Sequence, residues 1–394
     1  MMNNETILID IGPLSCSCTD HLMEEMHKAL SEDDDGLFRP HESIYVRQLI
    51  EEITGHGANA LSGLSTDLTG WLSKRAAGLS IAVPAPEAFV AWSPFKAEAV
   101  FKYLAGKAME TWAASDYVLL VDYLVHAYFP TTFPEQVAEL AVKQAAVMGK
   151  VQAVSESLTA AQAGALLAHF SQGFTGIALD LAHINYSVID YGMANCCEHV
   201  TGFSDSVKYR LKRTILEHEK SVRLEGKQPP HALQTKMFDQ FGELNRDWRR
   251  LALTEAGEMA NQGFVASMPV GKKLKRLEQY VGACPFCKKI DGRIVTIVEP
   301  DKKDKNWDTE IWQGKDNVGR SASPYKRVGG QLIKRTKSEM WALPAGLAHP
   351  HCRGLWIPVS GPASDDEFTM WLSDHFHPKA AEAIPKEKIE ARNE

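Results

Sequence analysis

The chain has 394 residues, 44% of them hydrophobic and 24% charged, with a formal net charge of −7 and a mean hydropathy of −0.23. That length can supply two or three domains with a sizeable core, and the composition is that of a soluble globular protein rather than a disordered chain. The negative balance removes global basicity as an argument for nucleic-acid binding. No apolar run approaches the about 18 residues of a membrane span, and MMNNETILIDIG lacks the basic and apolar regions of a signal peptide, so cytoplasmic synthesis is expected.

Residues 1–90 read as a mixed leader. Cys16, Cys18 and His21 lack a fourth ligand and read as thiols before a metal site. The acidic stretch at 31–35 reads as a solvated loop, and apolar spacing predicts a helix over Ile44–Thr54. Ala82-Val-Pro-Ala-Pro86 is a stiff break.

Residues 91–230 carry one helical pattern after another. Helices are predicted over Ala97–Ala108 and over Pro134–Met148, the latter with proline in its first turn. The run Thr159–Gln162 reads as a capping box. A long apolar helix is expected over Ile177–His199, and a separate one capped by Ser204 and running to Lys220. Within these, Cys196, Cys197 and His199 again lack a fourth ligand, and His169 and His183 read as core histidines. Gln228-Pro-Pro230 closes the region.

A further helix is predicted over Glu243–Gly263, ended by Asn261-Gln-Gly263 as a C-cap. Glu255 falls on its apolar face between Leu251 and Met259. There it either reaches water at the rim or needs a cation, with Arg353 the first candidate. Ile290–Ile297 reads as a hairpin turning at Asp291-Gly292. Residues 301–340 hold ten Lys/Arg against six Asp/Glu, which reads as a solvated polar insertion, with contact to DNA or an acidic partner as the alternative. Residues 361–394 read as a charged tail helix.

The most specific chemistry lies in CPFC and HPHCR. Cys284 and Cys287, then His349 and Cys352, form two pairs that each grip one ion from a single turn. Three thiolates and one imidazole have the count and softness of a closed structural Zn²⁺ site. Such a site leaves no open position for substrate. His351 could replace His349, but HxxC mirrors CxxC, while His351 and Cys352 are adjacent and point apart. The long excursion between Cys287 and His349 would be clamped at both ends by the metal. The fold expected is mainly α, with a small zinc-bound α+β C-terminal module.

Arg250, Thr254, Glu255, Asn261 and Gly263 on one helix, followed by Cys284, Cys287, Asp291, Gly292, His349, Pro350, Cys352 and Arg353, resemble the Mu F-like minor capsid family of phage head-morphogenesis proteins. The resemblance covers residues 240–360; the insertion between Val298 and Leu343 is longer than that pattern has. It implies a non-enzymatic minor head protein in the virion, near the portal. Implied partners are the portal protein, major capsid and scaffold; contact with packaged DNA stays the alternative that the charge of the basic 301–340 loop raises.

Two other classes compete. An HNH-like nuclease would need His351 as base and a second metal, and no acidic residue adjoins it in sequence. A zinc-containing nucleic-acid binder would use the basic insertion. No Walker loop, dinucleotide fingerprint, HExxH or GxSxG is present.

Overall fold

The computed structural model describes residues 43–73, 94–155, 179–225, 232–278 and 283–359, with positions 162, 165 and 168 besides. The expected acidic loop, the Cys16/Cys18/His21 group, the stiff break at 82–86, most of the 159–170 segment with His169, the Gln228–Pro230 stop and the 361–394 tail lie outside them. The architecture is mainly helical with a small C-terminal sheet.

The helical region comprises α1 (Ile44–Ser73), α2 (Pro94–Ala105), α3 (Ala114–Tyr128), α4 (Phe133–Ala138) and α5 (Ala145–Ser155), then α6 (Tyr186–Glu225) and α7 (Ala232–Ser267). A π-helical turn over Glu139–Gln144 joins α4 to α5 without a break. The helices expected from Ile44 and over Glu243–Gly263 are longer than their apolar periodicity announced, that over Ala97–Ala108 is shifted to Pro94–Ala105 at the same length, and that over Ile177–His199 starts only at Tyr186. Ser204 caps nothing: α6 runs through it for 40 residues, and its hydroxyl donates back to Thr201 O at 2.8 Å. His183 sits in the turn before α6 rather than in an apolar helix, and the start of α6 is solvent-facing, with Tyr186 and Tyr191 exposed. Among the described residues no helix is long and apolar enough to cross a membrane.

The helical core is built around Trp248, fully buried on α7. Its indole N–H donates to Ile53 O at 3.1 Å, and its ring meets Phe133 at 5.6 Å and Phe203 at 5.2 Å. Helices α5 and α7 cross with almost no side chain between them. A Cβ on Gly149 would stand 1.9 Å from Ala260 O, and one on Gly263 would stand 2.0 Å from Ala146 O. Gly263 is therefore a close-approach glycine inside α7, not the C-cap expected of it.

The end of α7 enters a second core with Phe264, Val265 and Met268, so this one helix belongs to both regions. Four strands form its sheet in the order β3 (Glu310–Ile311), β2 (Ile294–Ile297), β1 (Lys273–Leu277) and β6 (Leu355–Pro358). Strand β1 is antiparallel to β2 and β6, and β2 is parallel to β3. The expected Ile290–Ile297 hairpin is half present. Gly292, at φ +73, makes the turn, but a short helix α8 (Pro285–Ile290) precedes it, and β2 pairs with β1. Cys284 at the N-cap followed by Pro285 starts that helix, because proline suits the first helical position. A separate two-stranded ribbon, β4 (Tyr325–Val328) and β5 (Gln331–Lys334), stands in the insertion read from sequence as loop.

Candidate metal centre

The HPHCR run is a turn just ahead of β6, and it faces the N-terminus of α8 across a short gap. His349 Nε2 lies 3.2 Å from Cys284 Sγ and 3.1 Å from Cys287 Sγ, and Cys287 Sγ lies 3.9 Å from Cys352 Sγ. A tetrahedral ion with zinc-like bonds would set S···S near about 3.8 Å and S···N near about 3.5 Å. These separations already approach such edges, and the cluster could hold a metal ion.

The imidazole is oriented for this. Nδ1 is 2.7 Å from Pro350 O; a carbonyl only accepts, so Nδ1 carries the hydrogen and the Nε2 lone pair faces the sulfurs. The ring stacks on Trp341 at 5.4 Å, and Trp341 meets Phe286 edge-on at 5.2 Å. Burial pulls the His349 pKa down, but the Pro350 carbonyl and the thiols outweigh it and leave it raised. Burial pushes the Cys284 thiol up, but the Cys287 N–H and His349 leave it lowered. His351 is not among the clustered ligands. It is exposed, held in the left-handed region at φ +69, and its backbone N–H donates to Thr254 Oγ1 at 3.0 Å.

Cys352 has a second set of neighbours that spacing in the CxxC and HxxC runs did not announce. Its Sγ lies 3.4 and 3.5 Å from the Glu278 carboxylate oxygens and 3.7 Å from Arg276 Nη2, and Gly354 N–H points at it from 3.4 Å. Burial pushes this thiol well up. Arg276 and Glu278 are both fully buried; Nε donates to Oε1 at 2.8 Å, and Nη1 donates to Gly346 O at 2.9 Å. Two ligand triads thus share Cys287: Cys284/Cys287/His349 and Glu278/Cys287/Cys352. A cation in the second triad alone would stand against the Arg276 guanidinium. Glu278 is the counter-ion of Arg276, and Cys352 reaches the first triad through Cys287 Sγ, 3.9 Å away. The pair had a sequence signal: in KLKRLE, Arg276 and Glu278 are two apart on a strand and its continuation, hence on one face.

One stripe of α7 hangs the loops of this centre from the helical body. Thr254 takes His351 N–H, Glu258 takes Leu347 N–H at 2.5 Å, Asn261 donates to Gly354 O at 2.9 Å, and Gln262 accepts from Gly314 N–H at 2.9 Å. These positions recur at three and four residues, so they share a face. Burial pushes the Glu258 carboxyl up to about 7. Glu255 does not pair with Arg353. His199 Nδ1 on α6 lies 2.8 Å from its Oε1 and gains pKa from that bond, so the pair links α6 to α7 at the rim. Cys196 is buried and Cys197 half-buried, and they form no ligand cluster with His199 among the described residues.

The polar insertion is wired rather than loose. Lys315, 1% exposed, donates to Trp307 O and Glu310 O, both at 2.7 Å, and lies 4.9 Å from the Trp312 ring; burial pulls its pKa down to about 7. Asn317 donates to Ala342 O and Ala348 O, which ties the middle of the excursion to its C-terminal end just ahead of the His349 turn.

Comparison of the chain with family models, with curated proteins and with solved structures finds no match.

Proposed function

We propose that this protein is a minor head protein of a phage virion. It would act near the portal by contact with other head proteins, with a structural Zn²⁺ held by Cys284, Cys287, His349 and Cys352. The reading rests on the resemblance carried by residues 250–353. What supports it most is that the residues of that resemblance have connected physical jobs. Thr254 and Asn261 tie the helix to the His351 and Gly354 turns. Gly263 allows the α5–α7 approach, and Asp291 accepts from Glu278 N–H at 2.9 Å. A set of residues that cooperates to fix one turn on one helix is what an interaction module needs. Zinc is preferred among metals because three sulfurs and one imidazole suit its softness and tetrahedral geometry. When bound, it would supply closure of the loop rather than a reactive water, since the four ligands fill its coordination.

An HNH-like nuclease is the weaker alternative. His351 is the nearby spare histidine, and among the described residues no further Cys/His/carboxylate cluster stands ready for a second ion. The test is co-expression with the portal protein encoded in the same genome. Co-purification at salt high enough to remove nucleic acid, and presence of the chain in purified heads, are expected. Absence from heads, together with Mg²⁺-dependent nicking of plasmid DNA that is lost in His351→Ala, would overturn the reading.

A further inference from the structure

Between Asn317 and Ser338 the chain carries six Lys or Arg and no Asp or Glu. Folded surfaces normally intersperse both signs, and in a chain of net charge −7 this stretch stands out. Its centre is the β4–β5 ribbon, paired Tyr325 to Lys334, Lys326 to Ile333, Arg327 to Leu332 and Val328 to Gln331. Gly329 at φ +58 and Gly330 at φ +83 form the two-residue turn, so no side chain broadens the tip. Alternation places Tyr325, Arg327, Leu332 and Lys334 on one face, and Lys326, Val328, Gln331 and Ile333 on the other.

Both faces are open. Leu332 is 66% exposed and Val328 51%, and the ribbon pairs with no other strand among the described residues. A four-plus-four-residue hairpin without a packed face is marginal in water. Its base is tied down instead. Arg335 N–H donates to Pro324 O at 2.8 Å, Lys326 pairs with Glu339, and the Arg320 guanidinium lies 3.9 Å over the Trp307 ring. Arg327, Lys334 and Arg335 have no carboxylate within ion-pair reach among the described residues, unlike Lys302, Lys326 and Lys337.

We propose that this ribbon is an arm that binds double-stranded DNA, inserting along the major groove with its cations toward the phosphates. That groove, about 12 Å wide, admits a two-stranded ribbon. Basic residues on both strands of the ribbon can meet phosphate, which sets affinity without reading sequence. Leu332 and Val328 then lie against sugars and thymine methyls rather than water. Single strands fit less well, because they need successive aromatic platforms. Here the Trp307 face is taken by Arg320, and Tyr325 is the one aromatic on the ribbon. Duplex RNA presents a major groove too deep and narrow for side chains to read. This inference does not depend on the head-protein reading, since DNA affinity and presence in heads are measured separately.

The test is fluorescence anisotropy of the full chain on a labelled duplex of about 20 base pairs, between about 50 and 200 mM salt. Arg327→Glu/Lys334→Glu is expected to weaken binding about tenfold or more and to lower the log–log salt slope by about 2. Lys302→Glu/Lys303→Glu, outside the ribbon, should bind as wild type. Unchanged circular dichroism and metal content in the ribbon variant show that the fold is intact. Equal affinity and slope in the ribbon variant would overturn the proposal. So would equal binding of single strands, or binding of polyglutamate without binding of DNA, which would point to an acidic protein partner.

Discussion

The helical region and the C-terminal module bury their interiors by different means. Around Trp248 the burial is apolar and area-driven, and α5 and α7 touch backbone to backbone at Gly149 and Gly263. In the module a smaller apolar core on a four-stranded sheet is joined to three sulfurs, a buried Arg276–Glu278 pair and a loop hung from α7 by single hydrogen bonds. Hydrophobic area is forgiving of detail, because many small contacts share the work. A few directional polar links are not, since each buried group left without its partner costs the full desolvation penalty. The first region should therefore fail as a whole, and the second locally.

The sharpest break of the helical side is Trp248→Ala. Loss of the buried indole should cost about 3–5 kcal/mol and lower the main cooperative transition by calorimetry. A change confined to the module's signals would contradict the assignment of Trp248 to the shared helical core. On the other side, Arg276→Met leaves Glu278 buried and uncompensated, at a cost of about 3–5 kcal/mol. Amide exchange should rise in β1, β6 and the His349 turn while α1 to α6 stay protected, and the double variant Arg276→Met/Glu278→Leu should recover most of the loss. Global unprotection in the single variant would erase the contrast between the regions.

A pH series sharpens it further. The Glu258 carboxyl is raised in the folded state, so the contribution of its neutral form is full below the ordinary carboxyl pKa. That contribution is lost as pH rises through about 7. Glu258→Gln should flatten module stability between roughly pH 4.5 and 7 by about 1–2 kcal/mol. Parallel curves for the variant and wild type would place the titration elsewhere. Smallest is Thr254→Val, which keeps shape but removes the acceptor for His351 N–H. About 1 kcal/mol is expected, read as faster exchange at His351 alone.

Periodicity and spacing foreshadowed these regions unequally. Apolar spacing located the helices but not their ends, because Asn261 and Gly263 look like a stop signal until the Ala146 carbonyl and the Gly354 loop are seen beside them. Paired spacing put Cys284, Cys287, His349 and Cys352 in one neighbourhood. Glu255 drew Arg353 as a candidate partner because both lie in the same motif, whereas the partner came from α6, 56 positions away. Glu258, Gln262 and Arg276 bond to the backbone of Leu347, Gly314 and Gly346 across long separations, and single-chain periodicity carries no mark of that; only the Arg276–Glu278 pair, two apart on one face, was legible. The insertion read as loop because β4 and β5 bury neither face, so the alternation that signals a strand is missing.

A metal that closes the C-terminal module should be found in the purified protein. Metal analysis of the purified chain beside Cys287→Ser tests it directly. One zinc per wild-type chain is expected, with none in the variant. In the variant the module should lose amide protection while the helical region keeps its own. A wild-type chain that is free of metal, and whose module is as protected as when zinc is supplied, would contradict it.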